Sequence, residues 1–308
     1  MNMNNISFNS VSKRFGNFQA LKNISFSYDG NGAIGYLGPN GAGKTTSLKI
    51  LVNLIRPDSG TVMINNINVT KEPVMALKKI GALIETPLPY PYLRVSESLS
   101  YVAELRGINK KDIENRIEYY SKKLALPDLN AKISGLSKGQ RQRVVFASTL
   151  IVDPEILILD EPTSGLDPFE RKLFRDVILE LKKEKLVFMS SHLLSEVSET
   201  CDYVVFINNG SIKASGNIDE ISSSFNIKKV IARFIENVDD MMIDKIKNAG
   251  YNVSSYDKNS VIIDFDGSDA SRARILSDLV KIGNVIYYDV VGSQLEEAYI
   301  SILQGNNK

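Results

Sequence analysis

The sequence predicts an α/β domain built on a largely parallel sheet, followed by a smaller α+β domain. Three observations carry that expectation. A mostly apolar run, Ala33 to Leu37, feeds a glycine-rich loop that opens a helix from Thr45 to Leu54. Strand-like runs then recur at Ile156 to Asp160, Leu186 to Ser190 and Tyr203 to Ile207, with a helix between the first two, and such alternation favours parallel pairing. Beyond residue 227 the order changes to strand, helix, strand, strand, helix, strand, which marks a separate unit.

Taken in chain order, residues 6 to 37 read as short strands broken by turn signals at Asp29-Gly30 and Asn31-Gly32. The helix after the glycine loop has apolar residues at 48, 51, 54 and 55, the spacing of one helical face, and Pro57 with Gly60 stops it. From Ser96 to about Leu150 the period is helical. Leu99, Val102 and Leu105 line one face before Gly107, and Ile113, Ile117, Tyr120 and Leu124 line another, so a helical subdomain inserted over about 90–150 is expected. Asp167-Pro168 marks the start of the helix between the next two strands, whose core face includes Phe174, Ile178 and Leu181. An Asn209-Gly210 hairpin turn and the polar stretch Ser215 to Ser224 close the first domain, 1–220, and leave 216–226 as the candidate linker.

For the second domain, 227–308, the expected elements are strand Val230 to Phe234, helix Met241 to Asn248, strand Tyr251 to Ser255, strand Val261 to Phe265, helix Ala270 to Lys281, strand Val285 to Val291 and a final helix Gln294 to Leu303. This βαββαβ order with an appended helix is compatible with a ferredoxin-like domain.

Composition narrows the class. The 308 residues exceed what a single core commonly supports, and 43% hydrophobic with 24% charged residues is the balance of a folded globular protein. Lys plus Arg total 37 against 36 Asp plus Glu, so the formal charge of +1 supplies no field to steer nucleic acid, and no nucleic-acid partner is expected. The only cysteine, Cys201, lies in the apolar stretch CDYVVFI and reads as a buried, inert thiol in a reducing compartment. The first residues, MNMNNISFNSVSKRF, lack the apolar core of a secretion signal, and no window approaches the ~20 apolar residues of a membrane helix. A cytoplasmic chain without direct membrane insertion is expected, and work at a membrane would need another anchor.

Two segments carry chemistry. Gly38-Pro39-Asn40-Gly41-Ala42-Gly43-Lys44-Thr45 fits the phosphate-loop pattern G-x-x-x-x-G-K-[ST], between a strand and a helix as that pattern requires. The glycines let the backbone curl so that N–H groups face phosphate oxygens, the helix N-terminus adds partial positive charge, and Lys44 neutralises β and γ oxygens. Thr45 is expected to hold Mg2+. The nucleotide-binding set is Asn40, Gly41, Ala42, Gly43, Lys44, Thr45 and Thr46. The second segment, Ile156-Leu157-Ile158-Leu159-Asp160-Glu161, is an apolar strand ending in two carboxylates, and an unpaired buried charge is costly enough to need a reason. Asp160 is assigned to the metal and Glu161 to general-base or water-positioning work. The plain alternative is that both acids simply cap a strand end in solvent.

Between these segments, Leu136-Ser137-Lys138-Gly139-Gln140 resembles the LSGGQ signature of ABC ATPases, with Lys138 where glycine is usual. Ser137 suits an N-cap, and the helix it opens has apolar residues at 144, 147 and 151. The resemblance implies an ABC-type phosphate-loop NTPase fold and Mg2+-dependent ATP hydrolysis. It also implies that the signature, through Ser137, Gly139 and Gln140, closes over the γ-phosphate of ATP held by a second subunit. A dimer with another copy or a homologous ATPase subunit follows, with Ser137, Gly139 and Asp167 at the interface.

Further family matches follow in order over residues 6 to about 215. Phe15 matches the aromatic that stacks on adenine, although a lone strand Phe would otherwise be assigned to the core. Ser164-Gly165-Leu166-Asp167 looks like the D-loop. His192, the only histidine, matches the switch histidine, whose implied task is to bond the γ-phosphate and steady Glu161 and the water. An isolated histidine would otherwise read as an ordinary surface or core residue. Where most members have the Q-loop glutamine this chain has Glu85, which can accept from Mg2+-bound water but lacks an amide donor. The following Pro87-Leu88-Pro89-Tyr90-Pro91 is a shaped loop suited to docking a membrane permease subunit. Glu85 together with Ser293-Gln294-Leu295-Glu296-Glu297-Ala298-Tyr299 resembles the subgroup that exports drugs or antimicrobial peptides or confers self-immunity. The implied location is peripheral, on the inner face of the cell membrane.

The rival reading is a soluble ABC ATPase acting on nucleic acid or ribosomes. Chromosome-type members carry long coiled coils between phosphate loop and signature, whereas 92 residues without sustained heptads lie between Lys44 and Ser137, positions 45 to 136. Translation-type members usually carry two cassettes, and one is present here. A phosphate-loop kinase or GTPase leaves the signature and the SGLD segment unexplained. For the second domain, a stabilising or dimerising appendage and a regulatory domain remain equal alternatives.

Overall fold

The computed structural model describes residues 4–85, 89–224, 229–291 and Tyr299. The chain divides into two compact units, Met1–Ile218 and Asp219–Lys308.

The first unit opens with two long antiparallel strands, β1 (Asn5–Phe15) and β2 (Phe18–Asp29). They are not the short strands expected, because the turn at Gly16 and Asn17 lets pairing run from Phe15↔Phe18 to Asn5↔Asp29. β4 (Ser59–Ile64) pairs with β1 and with the short β5 (Ile67–Asn68), giving the order β2-β1-β4-β5. A second sheet contains β3 (Gly32–Leu37), β6 (Ile80–Leu83), β7 (Ile156–Asp160), β8 (Leu186–Ser191), β9 (Tyr203–Asn208) and β10 (Ser211–Asn217), in the order β10-β9-β3-β8-β7-β6. All its pairs are parallel except β9 with β10, which are joined through left-handed Asn209 and Gly210. β3, β7 and β8 are buried at every residue, as strands covered on both faces must be.

One core joins the two sheets. Phe8 stacks on Phe26 at 4.8 Å, and Phe26 lies 6.0 Å from Tyr36 and 5.8 Å from Phe188. Burial pushes the Tyr36 phenol pKa far up, so it stays neutral and shares a 3.0 Å hydrogen bond with Ser47 Oγ.

The helices are α1 (Lys44–Leu51), α2 (Pro73–Leu77), α3 (Val95–Leu105), α4 (Lys110–Lys123), α5 (Lys138–Leu150), α6 (Pro168–Leu181), α7 (Leu194–Thr200) and α8 (Ile218–Ser224). α3 to α5 form the inserted helical segment between neighbouring strands β6 and β7. Two expected faces need correction. α1 ends at Leu51 rather than Leu54, because Asn53 turns left-handed at φ 55°, and Leu54 is 63% exposed. Leu105 is 68% exposed, and the buried face of α3 is instead Val95, Ser98, Leu99 and Ala103. The expected linker is also corrected: β10 runs to Asn217 and α8 follows at once.

The second unit is a four-stranded antiparallel sheet of β11 (Lys229–Phe234), β12 (Asn252–Tyr256), β13 (Ser260–Asp264) and β14 (Val285–Val290), in the order β12-β13-β11-β14. With α9 (Asp240–Asn248) and α10 (Asp269–Ile282) it makes the βαββαβ arrangement, around a core including Phe234, Ile246, Ile263 and Leu279. The expected helix Gln294 to Leu303 and most of the Ser293 to Tyr299 segment lie outside the described residues, as do 86–88 of the proline-rich loop.

Candidate functional site

Parallel pairing brings three strand ends to one edge. The registers Leu37↔Ser191 and Asp160↔Ser190 set the glycine loop after β3 beside the acids at the end of β7 and the Ser-Ser-His segment at the end of β8. The carboxyl ends of a parallel sheet are where such folds bind ligands.

The loop 38–43 is held from below. Ser47 Oγ donates to Gly43 O at 3.1 Å, and Gly210 N–H donates to Ala42 O at 2.9 Å. Gly43 adopts φ 108°, and an added Cβ would press on Leu21 Cδ2 at 2.7 Å and Ala20 O at 2.8 Å. Only glycine therefore lets the chain turn into α1. The N–H groups of Lys44, Thr45 and Thr46 open that helix without intrahelical acceptors, while Asn40 and Gly41 stay exposed at the rim. Lys44 is buried. Its Nζ donates to Gly38 O at 2.8 Å and Pro39 O at 3.2 Å, and lies 3.3 Å from Glu161 Oε1.

The acids are fixed by hydroxyls. Buried Asp160 accepts from Thr45 Oγ1 at 2.8 Å on one oxygen and from Ser190 Oγ at 2.6 Å on the other. Glu161 is left-handed, φ 44°, a conformation that costs a non-glycine residue about 1–3 kcal/mol unless surroundings impose it. They do: its N–H donates to Ser190 O at 3.2 Å and Ser190 Oγ at 3.0 Å, and its carbonyl accepts from Ser164 N–H at 3.1 Å. Glu161 Oε2 meets His192 Nδ1 at 2.9 Å, and since a carboxylate only accepts, Nδ1 carries the proton in this contact. Lys44, Thr45, Asp160, Glu161 and His192 are thus one cluster.

Other expected residues lie elsewhere. Phe15 is 48% exposed at the end of β1, opposite exposed Phe18, with Lys13 Nζ 5.5 Å from its ring centroid. Glu85 engages Lys49 Nζ at 2.5 Å instead of the Thr45–Asp160 pair, and is left-handed at φ 59°. Ser137 caps α5, accepting from Gln140 N–H at 3.1 Å while Gln140 Oε1 accepts from Ser137 N–H at 2.9 Å. Gly139 is buried beneath Glu170, and Asp167 caps α6 by accepting from Glu170 N–H at 2.8 Å. Gln142 Nε2 donates to Pro162 O at 3.2 Å, so α5 is tied to the segment after Glu161.

Sequence reasoning did not single out Ser190, which bonds Asp160, or Lys49, which pairs with Glu85. The signal for Ser190 was present, a serine pair before the only histidine, but its bond to Asp160 spans strands distant in sequence.

The donor set suits a magnesium nucleotide. A buried ammonium, helix-start N–H groups and a glycine cradle match a polyphosphate, and hydroxyl–carboxylate oxygens 2.8 Å apart match a hard cation that keeps its remaining positions for water and phosphate. Among the described residues no group of three or more His, Cys, Asp or Glu gathers as a metal cage.

The sequence matches the ABC transporter family over residues 21–164. It is 37% identical over 210 residues to the ABC transporter ATP-binding protein NatA of Bacillus subtilis (strain 168), covering 67% of this chain and 85% of NatA. The chain belongs to the ABC transporter ATP-binding family. It is an ATPase, the ATP-binding subunit of an ABC transporter. An uncharacterized ABC transporter ATP-binding protein of the same organism, YxlF, is 31% identical over 301 residues, 97% of this chain and 99% of its own, so this similarity extends through the second unit. A solved ATP-binding subunit of an ABC transporter superposes with a TM-score of 0.66 and 28% identity, over 71% of this chain and 92% of that one. Among the described residues no helix of this ABC subunit is long and apolar enough to cross a membrane.

Proposed function

We propose that this ATPase works at the inner face of the cell membrane as a dimer around two Mg-ATP, driving a separate membrane permease that exports drugs or antimicrobial peptides. The observation that carries the hydrolytic part is the contact of Glu161 with both Lys44 and His192, beside the Thr45–Asp160 pair. Lys44 and the N–H groups of residues 41–46 hold the phosphates. Thr45 and Asp160 hold Mg2+, which when bound neutralises charge developing on the phosphoryl oxygens. Glu161 orients water and takes its proton, and His192 keeps that carboxylate in place. Phe15 offers an exposed ring for the adenine face.

The dimer is supported by the α5 tip. Ser137 Oγ uses a lone pair on Gln140 N–H, so its proton is available to a partner-held γ-phosphate. Gly139 and Gln140 complete that tip, and Asp167 lies on the neighbouring loop. Export of drugs or peptides is supported by the family likeness of Glu85 and the C-terminal segment, and permease docking by the proline-rich loop. Exposed Tyr90 of that loop, with the exposed rings of Tyr92 and Tyr101 at 5.6 and 5.8 Å from its own, supplies an aromatic surface. The second domain has an accessory or regulatory role.

The test is oligomeric state by light scattering together with phosphate release. Glu161→Gln is expected to form a dimer with Mg-ATP and to hydrolyse it very slowly, and Lys44→Ala to do neither. Wild-type turnover in Lys44→Ala, or a Glu161→Gln chain that remains monomeric at saturating Mg-ATP, refutes the scheme.

A further inference from the structure

Glu161 and His192 leave neighbouring strands on separate loops, and the 2.9 Å bond between them is made by an exposed ring. Behind that bond lies a second tie between the same loops. Glu196, in the first turn of α7, accepts from Thr163 Oγ1 on Oε1 and from Ser191 Oγ on Oε2, the latter at 2.8 Å. Thr163 follows Glu161 by two residues, and Ser191 precedes His192. Their exposures are 5% and 2%, so water does not substitute readily for either bond. Ser191 Oγ also accepts from Leu193 N–H at 2.9 Å, and its one proton has Glu196 at 2.8 Å as a closer acceptor than Leu193 O at 3.4 Å. One carboxylate therefore grips both sides of the hydrolytic pair without touching Glu161 or His192.

We propose that Glu196 is a positioning residue for ATP hydrolysis, clamping the 161–163 segment to the 190–192 segment and so setting the Glu161–His192 contact. The proposal rests on the reading of Glu161 and His192 as the hydrolytic pair. An ionised carboxylate accepts from both hydroxyls at once. Glutamine preserves both links, because its carbonyl accepts from Ser191 while its amide N–H donates to Thr163 with that hydroxyl reversed. Leucine fills the same space but removes both links, leaving the buried Thr163 hydroxyl without Glu196 and the Ser191 proton with only Leu193 O, 3.4 Å away.

The experiment compares purified full-length wild type, Glu196→Leu and Glu196→Gln, each also combined with His192→Ala, by kcat and KM for ATP, with thermal unfolding as the check on folding. Displacement of a reacting group predicts that Glu196→Leu lowers kcat about tenfold to a hundredfold with KM within about twofold. Glu196→Gln stays within about threefold of wild type, and Glu196→Leu adds little once His192 is alanine, because groups acting as one unit are not additive. Equal losses in the leucine and glutamine variants overturn the clamp, as does the same loss in both His192 backgrounds or a rise in KM with kcat intact. Wild-type turnover in His192→Ala alone overturns instead the reading beneath it. If Glu196→Leu does not fold, Thr163→Val keeps the shape, removes one donor and carries the same cycle with the same outcomes.

Discussion

At position 139 a methyl group fits only if the Glu170 side chain moves. An added Cβ would overlap the Glu170 carboxylate, which is ion-paired with Arg143 Nη1 at 2.7 Å, both side chains being 13% exposed. Arg143 Nε has no acceptor among the described residues, so the pair is buried with little reserve, and pushing Glu170 aside leaves a poorly compensated cation. Gly139→Ala is therefore expected to lower stability by about 1–3 kcal/mol, the range for overpacking a filled site. A urea midpoint identical to wild type would show that Glu170 moves freely. The cost of a side chain at the signature glycine within one subunit is thus set by how firmly the Arg143 pair holds the Glu170 carboxylate. Cys201 agrees with its sequence reading: it is buried, and burial pushes its thiol pKa far above the ordinary value, so little reactive thiolate forms.

At the scale of the element, Ser137 holds two tasks that substitution can separate. As N-cap it satisfies one orphan N–H of α5, and its loss to alanine typically costs about 1 kcal/mol. Aspartate caps equally well but puts a negative charge where the proposed dimer docks a phosphate. Ser137→Asp is expected to unfold within about 0.5 kcal/mol of wild type, since Asp and Ser rank together as caps. In the Glu161→Gln background it should abolish the Mg-ATP dimer seen by light scattering, and a persisting dimer would remove the α5 tip from the interface. The start of α10 is built differently. Asp266 accepts from Ser271 Oγ at 2.7 Å, Ser268 N–H at 2.8 Å and Ser268 Oγ at 2.7 Å, and these bonds hold its pKa at about 2 instead of 3.8. Because the folded state depresses this pKa, the stabilisation is present above pH 3.8 and is lost as pH falls toward 2. Thermal unfolding of Asp266→Asn is expected to fall less steeply than wild type across that window; an unchanged slope would place the acid sensitivity elsewhere. Such caps also explain what was legible. Asp167-Pro168 and the 174, 178, 181 spacing of α6 are local signals, and so are the strand and helix runs of residues 229–290. β6 is only four residues, and it is a strand because Ile80 pairs with Ile156 across the inserted helices, which no local pattern reveals. The same separation hid Ser190 and Glu196, whereas the glycine loop and the paired acids are contiguous and were readable.

At the scale of the whole molecule, the cluster of Lys44, Thr45, Asp160, Glu161 and His192 is drawn from α1, β7 and the segments following β7 and β8, all within the first unit. That unit's core, around Phe8, Phe26, Tyr36 and Phe188, is made of residues from its own two sheets and from α1 and α2, and the second unit has its own around Phe234 and Leu279. A cut after Ile218 keeps β10 and its last pair, Asn217↔Tyr203, and it also keeps the Ile218 N–H bond to Asp202 O at 3.0 Å. The carboxylate of the same Asp202 accepts from Ala33 N–H at 2.9 Å at the start of the strand that feeds the glycine loop, so the truncation leaves the support of that loop in place. Residues 1–218 are therefore expected to unfold in one cooperative transition and to bind Mg-ATP with a Kd within about threefold of the full chain, as separate cores imply for independent domains. Calorimetry on the purified fragment is the measurement. A fragment that unfolds cooperatively yet binds no nucleotide would make the second unit part of the ATP site. A fragment that binds normally but hydrolyses faster would instead assign that unit a restraining role on turnover.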